Sequence, residues 1–198
     1  MTPERRCFGD GDPLYESYHD AEWGRPVTDE RGLYERICLE AFQAGISWSI
    51  VLRKRAALRE AFKGFDPDVV GSFGRRDVAR LLRDPALIRN RMKIEAAVTN
   101  ARALAALRED GTELAELVWS FAPAPRRAPK TWKAVPAITK ESTALAKELK
   151  VRGFRFVGPT TAYATMQAAG LVNDHLASCA VRDAVEREQT AARRKFPN

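Results

Sequence analysis

The chain has 198 residues, 45% of them hydrophobic and 30% charged, which is enough apolar material to bury a core as one domain or two small lobes. That excludes disorder of the whole chain, and the absence of any run of about 18 or more apolar residues excludes a membrane-spanning helix. Thirty-three Lys and Arg against 26 Asp and Glu leave a net charge of +7, favouring a polyanionic partner such as nucleic acid. The opening MTPERRCFGDGDP lacks the apolar stretch of a signal peptide, so a soluble, cytoplasmic protein is expected.

Residues 1–27 are rich in Gly, Pro, Asp and aromatics without a helical period and read as an ordered loop region. Thr28 ahead of Asp29 and Glu30 offers an N-cap, and Leu33, Ile37, Cys38 and Ala41 recur at helical spacing, predicting a helix that stops near Ala44 and Gly45. Ser47 caps a predicted second helix through Trp48, Val51, Leu52 and Leu58 toward Phe62, ended by the breakers Gly64 to Pro67. Short helical pieces follow at 67–73 and 76–83. After Asp84 and Pro85, Leu87 and Ile88 are apolar, Arg89 to Lys93 are too polar for a core and read as a tight hairpin, and Ile94, Ala97, Val98, Ala101 and Leu104 mark the face of a longer helix.

Thr112 to Phe121 predicts a further short helix. Residues 122–136 hold four of the eleven Pro with Arg126, Arg127, Lys130 and Lys133 and no acid, a linker able to touch phosphate. Thr139 or Ser142 caps a helix through Leu145 and Leu149 to Gly153, Pro159 opens another to Gly170, and Asn173 or Asp174 opens the last. Phe154 to Val157 alternates like a strand, but one such segment cannot make a sheet. The expected fold is all-α, with a frayed end over the closing ARRKFPN.

The chain has three Cys and two His. His175 and Cys179 are four apart, which on a helix puts both on one face, and Cys7 and His19 flank a loop at the other end of the chain. A closed tetrahedral Cys2His2 zinc site on Cys7, His19, His175 and Cys179 completes the pattern, with a structural role because no position is left for water. The alternative is an exposed Cys7, a buried Cys179 and two His satisfied locally. Cys38 lies on an apolar helix face and is expected to be buried.

Tyr15, Tyr18 and Trp23 crowd one short segment outside any apolar period, with Phe8 and Trp48 nearby in sequence, a set suited to line a recess for a planar ligand or to anchor the loop on the core. Glu40 falls late in the first predicted helix between the apolar Leu39 and Ala41. In a binding site its oxygens would accept from an exocyclic amine and attract a cationic ring; otherwise it faces solvent or pairs with Arg36 at i−4.

The strings DPLYESYHDAEWG, LYERICLEAFQAGISWSIVLRKR, FDPDVV, LIRNRMKIEAAVTNARAL, VWSFAP and LKVRGFRFVGPTTAYATMQAAGLVNDH, with the trailing Cys179, run collinearly over residues 7–179. In this order they resemble the constitutive, Tag-type family of 3-methyladenine DNA glycosylases of bacterial base repair. The resemblance implies a helix-hairpin-helix glycosylase whose terminal segments are joined by zinc on Cys7, His19, His175 and Cys179. It also implies that Glu40 recognises the methylated adenine, that Tyr18 and Trp48 stack on it, and that Tyr15, Trp23 and Phe8 line the pocket wall. Arg89, Arg91 and Lys93 would then sit on the hairpin at the DNA backbone. The chain would be one unit, 1–198, with a core lobe over 28–118, a second lobe of 1–27 plus 119–187 carrying the clasp, and a polar tail at 188–198. Three positions depart from the family pattern: Phe8 directly follows Cys7, Met92 stands where the hairpin often has Gly, and Phe42 replaces a residue that is often polar near the base pocket.

What the resemblance implies for function is a monomer that flips and hydrolytically excises 3-methyladenine from double-stranded alkylated DNA, releasing the free base, leaving an abasic site and lacking lyase activity. The alternatives are a catalytically inactive or lesion-shifted damage-binding protein of the same fold, or a zinc-stabilised all-α interaction module that never meets DNA.

Overall fold

The structure, a computed structural model, describes residues 6–196, and every regular element among them is helical. In chain order these are α1 (Pro13–Ala21), α2 (Glu30–Gln43), α3 (Trp48–Ala61), α4 (Pro67–Gly71), α5 (Arg75–Arg83), α6 (Arg91–Glu109), α7 (Leu114–Trp119), α8 (Lys140–Val151), α9 (Pro159–Ala168) and α10 (Arg182–Arg193). Single 3-10 turns occupy Lys63–Phe65 and Trp132–Ala134, and Phe154 to Val157 is an irregular connection.

Helix α2 is central and packs against α3, α6, α7 and α9. Leu33, Tyr34, Ile37, Cys38, Leu39 and Phe42 are all buried, so the helix is apolar on more than one face, as an enclosed helix must be. Each such side chain contributes on the order of 1.5–3 kcal/mol by its removal from water. The Tyr34 hydroxyl donates to the Ala97 carbonyl of α6 at 2.9 Å, satisfying the one polar atom that its burial would strand. The N-cap is Asp29, whose carboxylate accepts from the Gly32 amide at 2.8 Å, one residue later than Thr28 and better matched to the positive helix end.

Three segments depart from expectation. Residues 13–21 are helical: Pro13 opens α1 and Asp12 caps it, accepting from Leu14 and Tyr15. The short apolar face carrying Tyr18 hid this helix from a period count. Residues 89–93 are not one hairpin, because Asn90 caps α6 through the Lys93 amide at 3.2 Å and Arg91 to Lys93 form its first turn. His175 to Cys179 is a series of bends and turns rather than a helix, and the last helix begins at Arg182.

The C-terminal stretch is also more ordered than a polar tail. Val185, Gln189 and Ala192 of α10 are buried, Gln189 donates to the carbonyls of Gly24 (2.7 Å) and Val172 (3.0 Å), and Phe196 stacks on Trp119 at 5.6 Å. One buried face every three or four residues is enough to dock an otherwise polar helix. Residues 1–5 and 197–198 lie outside the described region, including the end of the expected frayed tail.

Gly170 joins the C-terminal half to the N-terminal segment. It has φ +76°, and a Cβ there would lie 2.6 Å from the backbone of Arg25 and Pro26. Only glycine allows that approach, which is secured by the Val27 amide on the Ala169 carbonyl (3.0 Å) and the Gly24 amide on the Gln167 carbonyl (3.1 Å). The segment carrying Trp23 is thereby held against α9.

Candidate active site

Helices α1, α2, α3 and α9 and the 132–134 turn enclose a recess of about 330 Å³ lined by aromatic rings and by Glu40, Gln43 and Gln167. Tyr15 and Tyr18 are one turn apart on α1, with ring centres 6.5 Å apart, and Tyr18 meets Trp48, the first residue of α3, at 5.1 Å. Phe8 closes the other side, 5.2 Å from Tyr15 and 5.1 Å from Trp23. All five aromatics expected in the pocket are therefore brought together, and Trp132 joins them, 6.0 Å from Phe8 and from Trp23. Phe42, by contrast, turns into the core against Phe62 at 5.8 Å and takes no part in the recess.

Glu40 reaches this recess from the last turns of α2 with its side chain buried. Its Oε2 and the indole Nε1 of Trp48 are buried without a hydrogen-bond partner, an acceptor and a donor beside one cavity. Leaving such atoms bare costs on the order of 1–3 kcal/mol each, which a bound polar ring edge would recover. Burial pushes the Glu40 carboxyl up to about 8, against a smaller downward pull from Arg36. Burial first, and then Glu40, also hold the Tyr18 hydroxyl well above its ordinary range.

The Glu40–Arg36 pair does not form. Arg36 donates instead to Glu22 at 3.0 Å, and Glu22 also receives both terminal nitrogens of Arg55, at 2.6 and 2.7 Å. Arg55 lies over the Tyr18 ring, 5.9 Å from its centre. This three-residue cluster was not legible in the sequence, since nothing local links Glu22 to residues 14 and 33 positions away.

Behind the aromatic wall, Cys7, His19, His175 and Cys179 offer four ligand atoms within 4.8 Å of one another. Cys179 Sγ is 3.4 Å from both His19 Nε2 and His175 Nδ1, and Cys7 Sγ is 3.7 Å from His175 Nδ1. The edges of a tetrahedron with zinc–sulfur and zinc–nitrogen bonds of ordinary length are about 3.3–3.8 Å. The remaining ring nitrogens have separate partners: His19 Nδ1 meets Asp20 at 2.7 Å and His175 Nε2 the Trp23 carbonyl at 3.0 Å. Such second contacts orient imidazoles toward a metal, so the donor set fits a borderline-soft cation. The His175–Cys179 spacing works here through a tight turn rather than a helix face.

The turn between α5 and α6 runs from Asp84 to Asn90. Arg89 is exposed on it and Arg91 is exposed at the start of α6, but Lys93 is buried, its ammonium donating to the main-chain carbonyls of Phe42 (2.8 Å) and Ala44. Lys93, expected at the DNA backbone, is thus turned inward rather than exposed, because the open C-terminal carbonyls of α2 draw the cation. Met92 is 64% exposed within a helical turn without positive φ, so glycine is not required there. In the 122–136 linker, Arg126 is engaged by Asp174 and the Tyr163 hydroxyl, whereas Arg127, Lys130 and Lys133 are exposed.

The profile of the methyladenine glycosylase family matches residues 8–183. The chain belongs to this family. It is 48% identical to DNA-3-methyladenine glycosylase 1 of Escherichia coli K12 over 179 residues, 89% of this chain and 95% of that protein. A crystal structure of 3-methyladenine DNA glycosylase I superposes with a TM-score of 0.86 at 48% identity, covering 88% of this chain and 98% of the other. A tyrosine-to-phenylalanine variant of 3-methyladenine DNA glycosylase I in complex with 3-methyladenine superposes with a TM-score of 0.84 at 32% identity, covering 89% and 96%. Members of this family are DNA-3-methyladenine glycosylases, hydrolases that act on DNA.

Among the pocket residues, sequence reasoning missed Gln43, Trp132, Ala164 and Gln167. Only Trp132 left a signal, as the lone aromatic of a basic, proline-rich linker.

Proposed function

We propose that this chain excises 3-methyladenine from alkylated double-stranded DNA as a monomer, releasing the free base and leaving an abasic site. The observation that carries the reading is the unpartnered Glu40 carboxylate atom in a recess walled by Phe8, Tyr15, Tyr18, Trp23 and Trp48. A target base inside a duplex is out of reach of such a recess, so the nucleotide is flipped into it, at a cost of a few kcal/mol of unstacking. Phosphate contacts offset that cost: the first amides of α6, at its positive end, together with Arg89 and Arg91, are suited to the backbone, and the α5–α6 turn acts as the hairpin of a helix-hairpin-helix element.

The N3-methylated base is cationic and leaves neutral, so its glycosidic bond is already weakened. The rings of Tyr18 and Trp48 hold it by stacking and cation–π attraction, and Glu40 accepts from its amine edge. Attraction to the cation in the ground state opposes departure, so contacts to the departing neutral base and to the oxocarbenium-like sugar must be stronger than those to the substrate. Glu40 is a recognition group first, and no general base is assigned. Two lysines at the hairpin, Lys54 and Lys93, are each occupied by two main-chain carbonyls, of Pro85 and Ala86 and of Phe42 and Ala44, which supports a monofunctional enzyme without a free amine nucleophile there.

Cys7, His19, His175 and Cys179 would hold one zinc ion, which supplies a structural cross-link between the first and last parts of the chain. Two of these residues adjoin pocket aromatics, Cys7 beside Phe8 and His19 beside Tyr18, so the clasp supports the pocket wall.

The test is chromatographic release of free bases from methylated duplex DNA by the wild type and by Glu40→Ala. Release of 3-methyladenine by the wild type and its loss in the variant, with duplex affinity kept, is the expected result. No release by folded, metal-loaded wild type would sink the activity in favour of a damage-binding role.

A further inference from the structure

Glu40 and Arg36 are one helical turn apart on α2, the spacing at which opposite charges ordinarily meet. Each nonetheless keeps a buried, unpartnered polar atom, Oε2 of Glu40 and Nη1 of Arg36. Arg36 is held away by a single hydrogen bond from Nη2 to Glu22 at 3.0 Å, while Arg55 grips the same carboxylate with two shorter bonds. Arg36 is thus the more loosely held of the two cations, and it has a free N–H one turn from the carboxylate proposed to read the base.

We infer that Glu22 is a positioning residue for the base pocket: by clamping Arg36 and Arg55 it keeps Arg36 from pairing with Glu40, leaving Glu40 open to a cationic purine. This rests on the proposed role of Glu40. An Arg36–Glu40 ion pair would present the incoming cation with an occupied acceptor and a neighbouring positive charge. Glu22 instead places its negative charge among the two guanidiniums, and through Arg55 it steadies the Tyr18 ring on which the base stacks. Burial works against its ionisation, but the bonds and charges of Arg55 and Arg36 outweigh it, so Glu22 stays an anion. Burial opposes the Arg55 charge too, but the bonds and charge of Glu22, with smaller help from Glu35 and Tyr18, outweigh it and hold Arg55 above its ordinary value.

The experiment titrates free 3-methyladenine into wild type, Glu22→Gln, Arg36→Met and the double variant, by calorimetry or tryptophan fluorescence, with melting curves for each. Glu22→Gln is expected to weaken binding by at least about tenfold, the weight of one charge-assisted hydrogen bond. Arg36→Met alone is expected to bind like the wild type, and adding it to Glu22→Gln to restore most of the lost affinity even though the melting temperature stays low. A purely structural role for Glu22 would give no such rescue. Glu22→Asp, which shortens the clamp and keeps the charge, is the variant to use if Glu22→Gln does not fold; it should lose affinity in part and be rescued in the same way. Unchanged affinity on loss of the clamp, or no rescue by Arg36→Met, overturns the inference while leaving the pocket in place. Failure of the wild type to bind the base removes the pocket reading and this inference with it.

Discussion

The ammonium of Lys93 in the first turn of α6 closes the C-terminal end of α2 by donating to the carbonyls of Phe42 and Ala44. Helix ends leave such carbonyls open, and a cation is the partner their partial negative charge favours. One residue thereby ties the helix that carries Glu40 to the turn proposed to meet DNA, so the depth of the pocket and the position of the hairpin are mechanically linked.

Lys93→Met should therefore act on stability rather than on DNA electrostatics. Loss of two bonds to a charged donor is expected to cost on the order of 2–3 kcal/mol, a fall of roughly 4–12 °C in melting temperature for a chain of this size. The slope of log affinity against log salt should match that of the wild type, because no phosphate contact is lost. A slope shallower by about one unit would put Lys93 back at the DNA.

Arg89→Ala and Arg91→Ala should do the opposite. Both side chains are exposed, and Arg91 has only a surface pair with Glu95 at 3.3 Å, which is worth little to stability. Each substitution is expected to leave the melting temperature almost unchanged and to reduce the salt slope of duplex binding by about one. Binding curves across a salt series decide it; equal slopes for variants and wild type would remove these arginines from the interface.

Glu40 also leaves a mark on stability. Its carboxyl lies near 8 in the folded chain, above the ordinary value of 4.5 that it regains on unfolding, so the native state prefers the proton. The associated stability is fully present below about pH 4.5 and is lost as pH rises through about 8, on the order of 3–5 kcal/mol in full. Glu40→Gln lacks this dependence. Denaturant unfolding of both proteins across that range should show the wild type losing ground to the variant as pH rises, and parallel curves would contradict a buried, ionisable Glu40.

Cys179→Ser tests the clasp. It removes the sulfur that approaches both imidazoles at 3.4 Å, leaving three donors. Elemental analysis is expected to find one zinc per wild-type chain and little in the variant, with a lower melting temperature for the variant and for chelator-treated wild type. Wild type that is free of metal yet equally stable would end the idea.

Much of the scaffold was legible in the sequence because its causes are local. Leu33, Ile37 and Ala41 at helical spacing placed α2, Thr139 and Pro159 marked the starts of α8 and α9, and the scarcity of His and Cys singled out four donors that the fold does gather. Where a local cue was weak, as in the nine residues of α1 or the irregular turn from His175 to Cys179, the reading failed although the residues named there were the relevant ones.

By itself, then, the sequence determined the helical class, the burial of α2, the donor set and the aromatic set, since capping, period and composition act between near neighbours. Only the tertiary structure decided where the long charged side chains go. Arg36 chose Glu22 over Glu40, Lys93 turned inward to α2, and Phe42 went to the core while Trp132 came to the pocket. Those outcomes depend on partners 14 to 51 residues away along the chain for the charged groups, and a buried charge goes to whichever unsatisfied opposite charge or carbonyl the packing brings within reach.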